Sequence, residues 1–120
     1  MRTCTAALVL FLAVAAPAGA HHGLMAFDQT SKVTLKGTVT AFHFVNPHAV
    51  VEFEVKDDKG HVQEWEAEMT SPAHLKGWTA TSLEPGNVVT VTGYRAKSGA
   101  SSLWVTHLIS SNGVELGTLK

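Results

Sequence analysis

The residues best suited to chemistry in this chain are its seven histidines, two of which stand side by side in the stretch Ala18-Gly19-Ala20-His21-His22-Gly23. The pair matters because of what precedes it. Arg2 and the initiator amine carry positive charge, Ala6 to Ala16 is an apolar run too short to span a bilayer, Pro17 breaks it, and Ala18-Gly19-Ala20 has the small-x-small pattern that signal peptidase reads. Residues 1–20 are therefore expected to be a signal peptide, and the mature chain is expected to begin at His21. A histidine in first position offers one metal both its α-amine and its Nδ1, closing a chelate ring. Free amine and imidazole titrate near 8 and 6.5, so both can be available near neutral pH. Two nitrogens of this kind suit Cu(II), the tightest divalent binder of the first-row series. The arrangement looks like the first half of the histidine brace of copper oxygenases and periplasmic copper carriers. The other reading of His21-His22 is a frayed terminus with no role.

A brace needs a further histidine from the body of the fold, and His48 is the best placed. It follows Asn46-Pro47, a turn signal, and proline would stiffen the loop that holds it. His43 lies just before the turn. The alternation of apolar and polar residues points both rings away from the interior, and a tight hairpin would bring them close. His48 could instead brace its own turn, and His43 could be an ordinary surface residue. His22 is a weaker ligand, because the Xaa-Xaa-His copper motif needs histidine third and Gly23 stands there. His61, His74 and His107 read as surface positions, and Trp65, Trp78 and Trp104 as core or barrel-mouth packing.

Carboxylates supply a second cue. Glu52, Glu54, Glu64, Glu66 and Glu68 share an outward parity on two neighbouring runs. Closing a hairpin around Asp57 to Gly60 sets Glu54 against Glu64 and Glu52 against Glu66, and puts Glu68 beside Val50, near His48. Such a strip attracts cations or simply keeps the surface soluble. Glu68 alone is placed to ligate a metal or to support a ligand.

These residues must be positioned by strands. Val33 to Ala41 alternates with odd positions apolar, and the parity flips at Phe42-His43-Phe44, which predicts a bulge or bend near Ala41. Ala49 to Lys56 and Glu64 to Met69 alternate on either side of the Asp57-Asp58-Lys59-Gly60 turn. Ser71 to Lys76 reads as a short helix with Ser71 as N-cap and Pro72 at its first position. Glu84-Pro85-Gly86-Asn87 turns into a fourth strand, Val88 to Tyr94. A fifth, Ser102 to Ser110, would set Leu103, Val105 and Ile109 against the core. The expected fold is all-β: a small five-stranded OB-type barrel with one short helix between strands 3 and 4. An open meander would leave two long edges. The expected organisation is signal peptide 1–20, N-terminal arm 21–32 and barrel 33–120.

The chain also resembles the DUF6152 family of small exported bacterial proteins. The likeness rests on His21-His22, on Val33 to Val39 ("VTLKGTV"), on Asn46-Pro47-His48, on Glu68 followed by Ser71-Pro72, Leu75 and Gly77-Trp78, and on Ser82 to Gly93 ("SLEPGNVVTVTG"). It covers nearly all of the expected mature chain. It implies export and a single β-domain, and carries no settled function.

Composition narrows the function classes. With 9 basic and 10 acidic residues the net charge is −1, and no basic stripe is available to neutralise a phosphate backbone, so nucleic acid is not an expected partner. Cys4, the only cysteine, precedes the apolar run and would leave with the leader, so the mature domain has neither a disulfide nor a thiolate. No G-x-S-x-G, phosphate loop or H-E-x-x-H occurs. The expectation is a non-enzymatic periplasmic or secreted metal-binding protein, with copper as its metal and His21, His22, His43, His48 and Glu68 as candidate ligands. It has no membrane span once the leader is removed, and a periplasmic protein is a possible partner. The alternative is a metal-free OB-type module that binds a small ligand or protein. A copper-dependent oxidoreductase is a third option for which nothing specifies a substrate.

Overall fold

A computed structural model describes residues 23–117. A 3-10 turn, Gly23–Ala26, leads into β1 (Phe27–His43), followed by β2 (Val50–Lys56), β3 (Val62–Glu68), a 3-10 turn at Pro72–His74, β4 (Val88–Ala96), β5 (Ser102–Ser110) and β6 (Glu115–Leu116). The strands are hydrogen-bonded in the order β3-β2-β1-β4-β5-β6, and an added β3–β5 pairing closes the sheet into a ring. All neighbours are antiparallel except β3 and β5, which run parallel.

The ring closes because β1 is long enough to serve two neighbours. Its first part pairs with β4 through Val33↔Gly93 to Thr38↔Val88, and its last part with β2 through Thr38↔Glu54 to His43↔Val50. Glycine makes the changeover possible. A Cβ on Gly37 would lie 2.3 Å from the Glu54 carbonyl oxygen, and one on Gly93 would lie 2.2 Å from that of Trp104, so only glycine lets these backbones cross so closely. The register shifts between Val39 and Ala41, which is the bulge that the parity flip predicts. Beyond it Phe42 and Phe44 pack against the core while His43 faces out.

The interior is filled by the alternating apolar residues, with Val39, Val51, Phe53, Met69, Leu83, Val91, Leu103 and Leu108 among the fully buried side chains. Burying a side chain of this size stabilises the fold by roughly 1.5–3 kcal/mol. With no cysteine in the described residues, that packing is the main source of stability.

Four sequence expectations are revised. The strand count is six, because a turn at Gly113 folds Glu115–Leu116 back on β5, with Ser110 N–H donating to the Val114 carbonyl at 2.8 Å. The short helix is a single 3-10 turn, and the Ser71 side chain caps no backbone N–H; its hydroxyl pairs with His74 Nδ1 at 2.9 Å. β1 starts at Phe27, earlier than Val33, through Phe27↔Ala96 and Lys32↔Tyr94. The polar run between those pairs turns on Asp28, whose carboxylate accepts from the Thr30 hydroxyl and N–H; these bonds hold it below the usual carboxylate range. Finally, Leu108 rather than Ile109 is buried. The β4–β5 register skips Thr106, pairing Thr92 with His107 and Gly93 with Val105, and that bulge inverts the parity of the rest of β5.

Candidate metal centre

His48 lies in the loop between β1 and β2, two residues before Val50. The β2–β3 ladder runs from Lys56↔Val62 to Val50↔Glu68, the register expected from closing the turn around Asp57 to Gly60. The ladder then continues through Met69 N–H to the Ala49 carbonyl at 2.8 Å and Ala49 N–H to the Thr70 carbonyl at 3.1 Å. His48 and Glu68 therefore lie on one face of adjacent chains, and His48 Nδ1 meets Glu68 Oε1 at 2.9 Å. A carboxylate only accepts, so His48 donates its Nδ1–H, and in the neutral ring the Nε2 lone pair is left open. Among the described residues Nε2 has no hydrogen-bond partner.

The third member of this row comes from β5. Glu68 pairs with Trp104 across the parallel β3–β5 contact, and the Trp104 and His48 rings meet edge-on, with centroids 5.2 Å apart and an interplanar angle of 87°. Phe27 steadies Trp104 from β1 at 5.9 Å. The His48 side chain is 20% exposed and that of Glu68 is 24% exposed. Strand parity lifts the His48 ring off the interior, and Trp104 then packs edge-on against it, leaving it partly covered.

The opposite edge of the ring faces the start of the described chain. Gly23 adopts φ +50°, and a Cβ there would lie 3.7 Å from His48 Cε1 and 3.9 Å from Nε2. His21 and His22, which immediately precede Gly23, lie outside the described residues.

His43 does not join His48. Its Nε2 pairs with Glu52 Oε2 at 3.1 Å, its side chain is 51% exposed, and the two histidines engage different carboxylates. The remaining histidines are similarly occupied: His61 with Asp57, His107 with Glu115 and His74 with Ser71. Glu52 and Glu54 stand directly opposite Glu66 and Glu64, as expected. Among the described residues no three His, Cys, Asp or Glu side chains gather closely enough to hold a metal by themselves. At this end of the ring they offer one oriented imidazole with its carboxylate, and a closed metal site must draw on residues outside them.

A shallow cleft adjoins the row, lined by Leu24, Gln29, Thr70, His74, Tyr94 and Trp104, together with Thr106. Reading the sequence missed Trp104 as the neighbour of His48. Its even position, opposite in parity to Leu103 and Val105, was the available signal that it faces away from the core.

Residues 8–103 match DUF6152, described as a family of unknown function. The chain belongs to that family. No curated protein matches it at the sequence level. Among solved structures, this DUF6152 chain is similar to part of TiaS in two crystal structures. The first, a ZRD-deleted mutant in complex with agmatine, has 22% identity and a TM-score of 0.46 over 72% of this chain and 22% of that one. The second, TiaS in complex with a tRNA and ATP, has 21% identity and a TM-score of 0.47 over 76% and 20%. A structure described as a tRNA fluorescent labeling enzyme gives 22% identity and a TM-score of 0.46, over 72% of this chain and 18% of the other. The DUF6152 chain thus spans about a fifth of the proteins it is compared with. No helix among its described residues is long and apolar enough to cross a membrane.

Proposed function

We propose that this DUF6152 protein is an exported, periplasmic copper-binding protein, cleaved after Ala20, that holds Cu(II) through the α-amine and Nδ1 of His21 and through Nε2 of His48. The role is carriage or storage of the metal, without turnover of a substrate. Glu68 acts on the metal through His48: by accepting the Nδ1–H it fixes the ring and makes Nε2 a better donor, the usual arrangement of a carboxylate behind a metal-binding histidine. His22 is an alternative donor next to His21, and His43 stands apart from this set.

One observation carries the proposal. The ring edge bearing the open His48 Nε2 is near Gly23, where an added Cβ would lie 3.9 Å from that nitrogen, and Gly23 is two residues from the proposed mature N-terminus. Three nitrogens, two of them from one chelating residue, form the donor set that favours Cu(II) over the other divalent first-row ions. We also infer that the ring is of OB type. Its closed order, β1-β2-β3-β5-β4 and back to β1, with a helical turn between β3 and β4, supports that reading, and the two-residue β6 is then an addition to five barrel strands.

Native mass spectrometry of the exported protein, with and without Cu(II), tests the proposal. The expected masses are those of a chain starting at His21 and of that chain plus one copper. A start elsewhere, or no retained metal, overturns it. A second reading is that the cleft between Leu24, Tyr94 and Trp104 binds a small ligand or protein without metal, for which the half-buried aromatic lining is the supporting observation. That reading predicts binding that survives a chelator.

A further inference from the structure

The cleft beside Trp104 has a volume of about 410 Å³, and no Asp, Glu, Lys or Arg lines it. Two other clefts of the molecule are charged, one lined by Glu52, Glu64 and Glu66 and another by Lys36, Glu54 and Lys56. Lys32 does approach Tyr94, with its Nζ 5.6 Å from the ring centroid, but it lies outside the lining. The cleft offers aromatic rings and neutral polar groups instead. Tyr94 and Trp104 stand opposite each other across β4 and β5, and both are half-buried. Around them are the Gln29 amide, the Thr70 and Thr106 hydroxyls and the His74 imidazole. When uncharged, each of these groups both donates and accepts hydrogen bonds. Thr106 is the most informative of them. It is the unpaired residue of the β5 bulge, since Thr92 pairs with His107 and Gly93 with Val105. It is only 4% exposed and still lines the cleft. Its hydroxyl donates to the Thr92 carbonyl at 3.2 Å, which leaves its lone pairs free to accept. A valine would fill the same volume without a polar atom, and bulges often re-aim a side chain beside a functional site.

We propose that this cleft binds a neutral saccharide of one or two rings. The assignment rests on the second reading above, a metal-free ligand in this cleft, and names that ligand's class. A pyranose has a face of C–H groups that packs on an aromatic side chain, and a rim of hydroxyls that each donate and accept. Tyr94 and Trp104 suit the face, and the amide, hydroxyls and imidazole suit the rim. A phosphate, carboxylate or ammonium group would lose water here without meeting an opposite charge. A wholly apolar ligand would cover Thr70 and Thr106 without bonding their hydroxyls. The volume lies toward the lower end of the roughly 300–1,000 Å³ usual for small-molecule sites, which limits the ligand to one or two rings.

The test titrates the full mature chain, with EDTA present, and follows its assigned NMR resonances. The probes are glucose, galactose, N-acetylglucosamine, maltose and cellobiose, with glucuronate and glucosamine as charged counterparts and indole as a neutral aromatic control. At least one neutral sugar should shift the Trp104 indole and Thr106 amide resonances saturably, and the charged sugars should bind more weakly. Gln29→Ala and Thr106→Val each remove one hydrogen-bonding group and should weaken sugar binding by about three- to tenfold. Gln29 is exposed, so its variant keeps the test open if Thr106→Val fails to fold. Wild-type sugar affinity in the variants overturns the site, and charged sugars that bind as tightly as neutral ones overturn the ligand class. If indole shifts the two resonances and no sugar does, the saccharide falls and the metal-free reading of the cleft stands. If neither shifts them, both fall.

Discussion

Gly23 and His48 are neighbours: a Cβ added to Gly23 would fall 3.7 Å from His48 Cε1. This proximity sets the beginning of the described chain beside the loop between β1 and β2, where His48 has an oriented ring and an open nitrogen. Glu68 sets the orientation from one side and Trp104 from the other.

The α-amine is the part of this arrangement that acetylation removes. Acetylating the His21 amine converts it into an amide, which is not basic, creates no new free amine ahead of His22, and leaves every described side chain in place. Such a chain should melt as the wild type does and lose most of its Cu(II) affinity. Competition titration and circular dichroism on one preparation check both statements, and unchanged affinity would exclude the amine.

Glu68→Ala should weaken Cu(II) binding by about ten- to a hundredfold, the range found when a carboxylate behind a ligating histidine is removed. Glu68→Gln should fall between alanine and the wild type, because an amide oxygen still accepts the Nδ1–H without a full charge. An affinity equal to that of the wild type in both variants would show that Glu68 only decorates the surface.

Copper affinity should decline as pH is lowered from about 7.5 to about 5.5. The sign follows from competition: amine and imidazole must be unprotonated to ligate, and their free forms titrate near 8 and 6.5, so metal displaces protons and acid reverses it. Carboxylate ligands would titrate lower, near 4. Affinity that stays flat across this interval would thus move the site to the acidic strip, where Glu52 and Glu66 face each other.

Closure of the ring makes a prediction independent of metal. A Cβ on Gly37 collides with the Glu54 carbonyl oxygen, a backbone atom that cannot rotate away. Gly37→Ala should cost about 2–3 kcal/mol, near the upper end for overpacking, and lower Tm by on the order of 10 °C for a domain of this size. Gly60→Ala is the contrast: a side chain there meets nothing within 4 Å, and only its φ of +79° opposes the change. A thermal melt in which Gly37→Ala is the milder of the two would contradict the close crossing of β1 over β2.

Much of this geometry can be read locally. Alternation marks the strands, the parity flip marks the bulge at Val39 to Ala41, and the Asp57 to Gly60 turn fixes the hairpin register closely enough to put Glu68 next to His48. What is not legible depends on residues far apart in the chain. The parallel β3–β5 contact has no turn to set it, so the meeting of Trp104 with His48 cannot be derived from spacing. The start of β1 is hidden for a different reason: Asp28 to Lys32 is a polar run without alternation, and its place beside β4 is set by Phe27↔Ala96 and Lys32↔Tyr94. In β5 the skipped Thr106 exchanges the inward positions, and nothing in Leu108-Ile109 by itself reveals which residue turns in.

His48→Ala gives the sharpest separation of the two roles open to this residue. The ring is largely covered, bonded to Glu68 and packed on Trp104, so its loss should cost about 1 kcal/mol, more than a change at a bare surface position. Stability alone therefore cannot distinguish a ligand from a brace. Affinity can. If His48 ligates, Cu(II) binding should fall by more than it does for Glu68→Ala, since the first residue's chelate then loses the donor that ties it to the fold. Fluorescence adds a local readout: Cu(II) bound at His48 sits beside Trp104 and should quench it, and the quenching should vanish in His48→Ala and shrink in Trp104→Phe. A His48→Ala protein that melts lower yet binds and quenches as the wild type does would make the residue a brace for its turn, and the copper site would have to lie elsewhere.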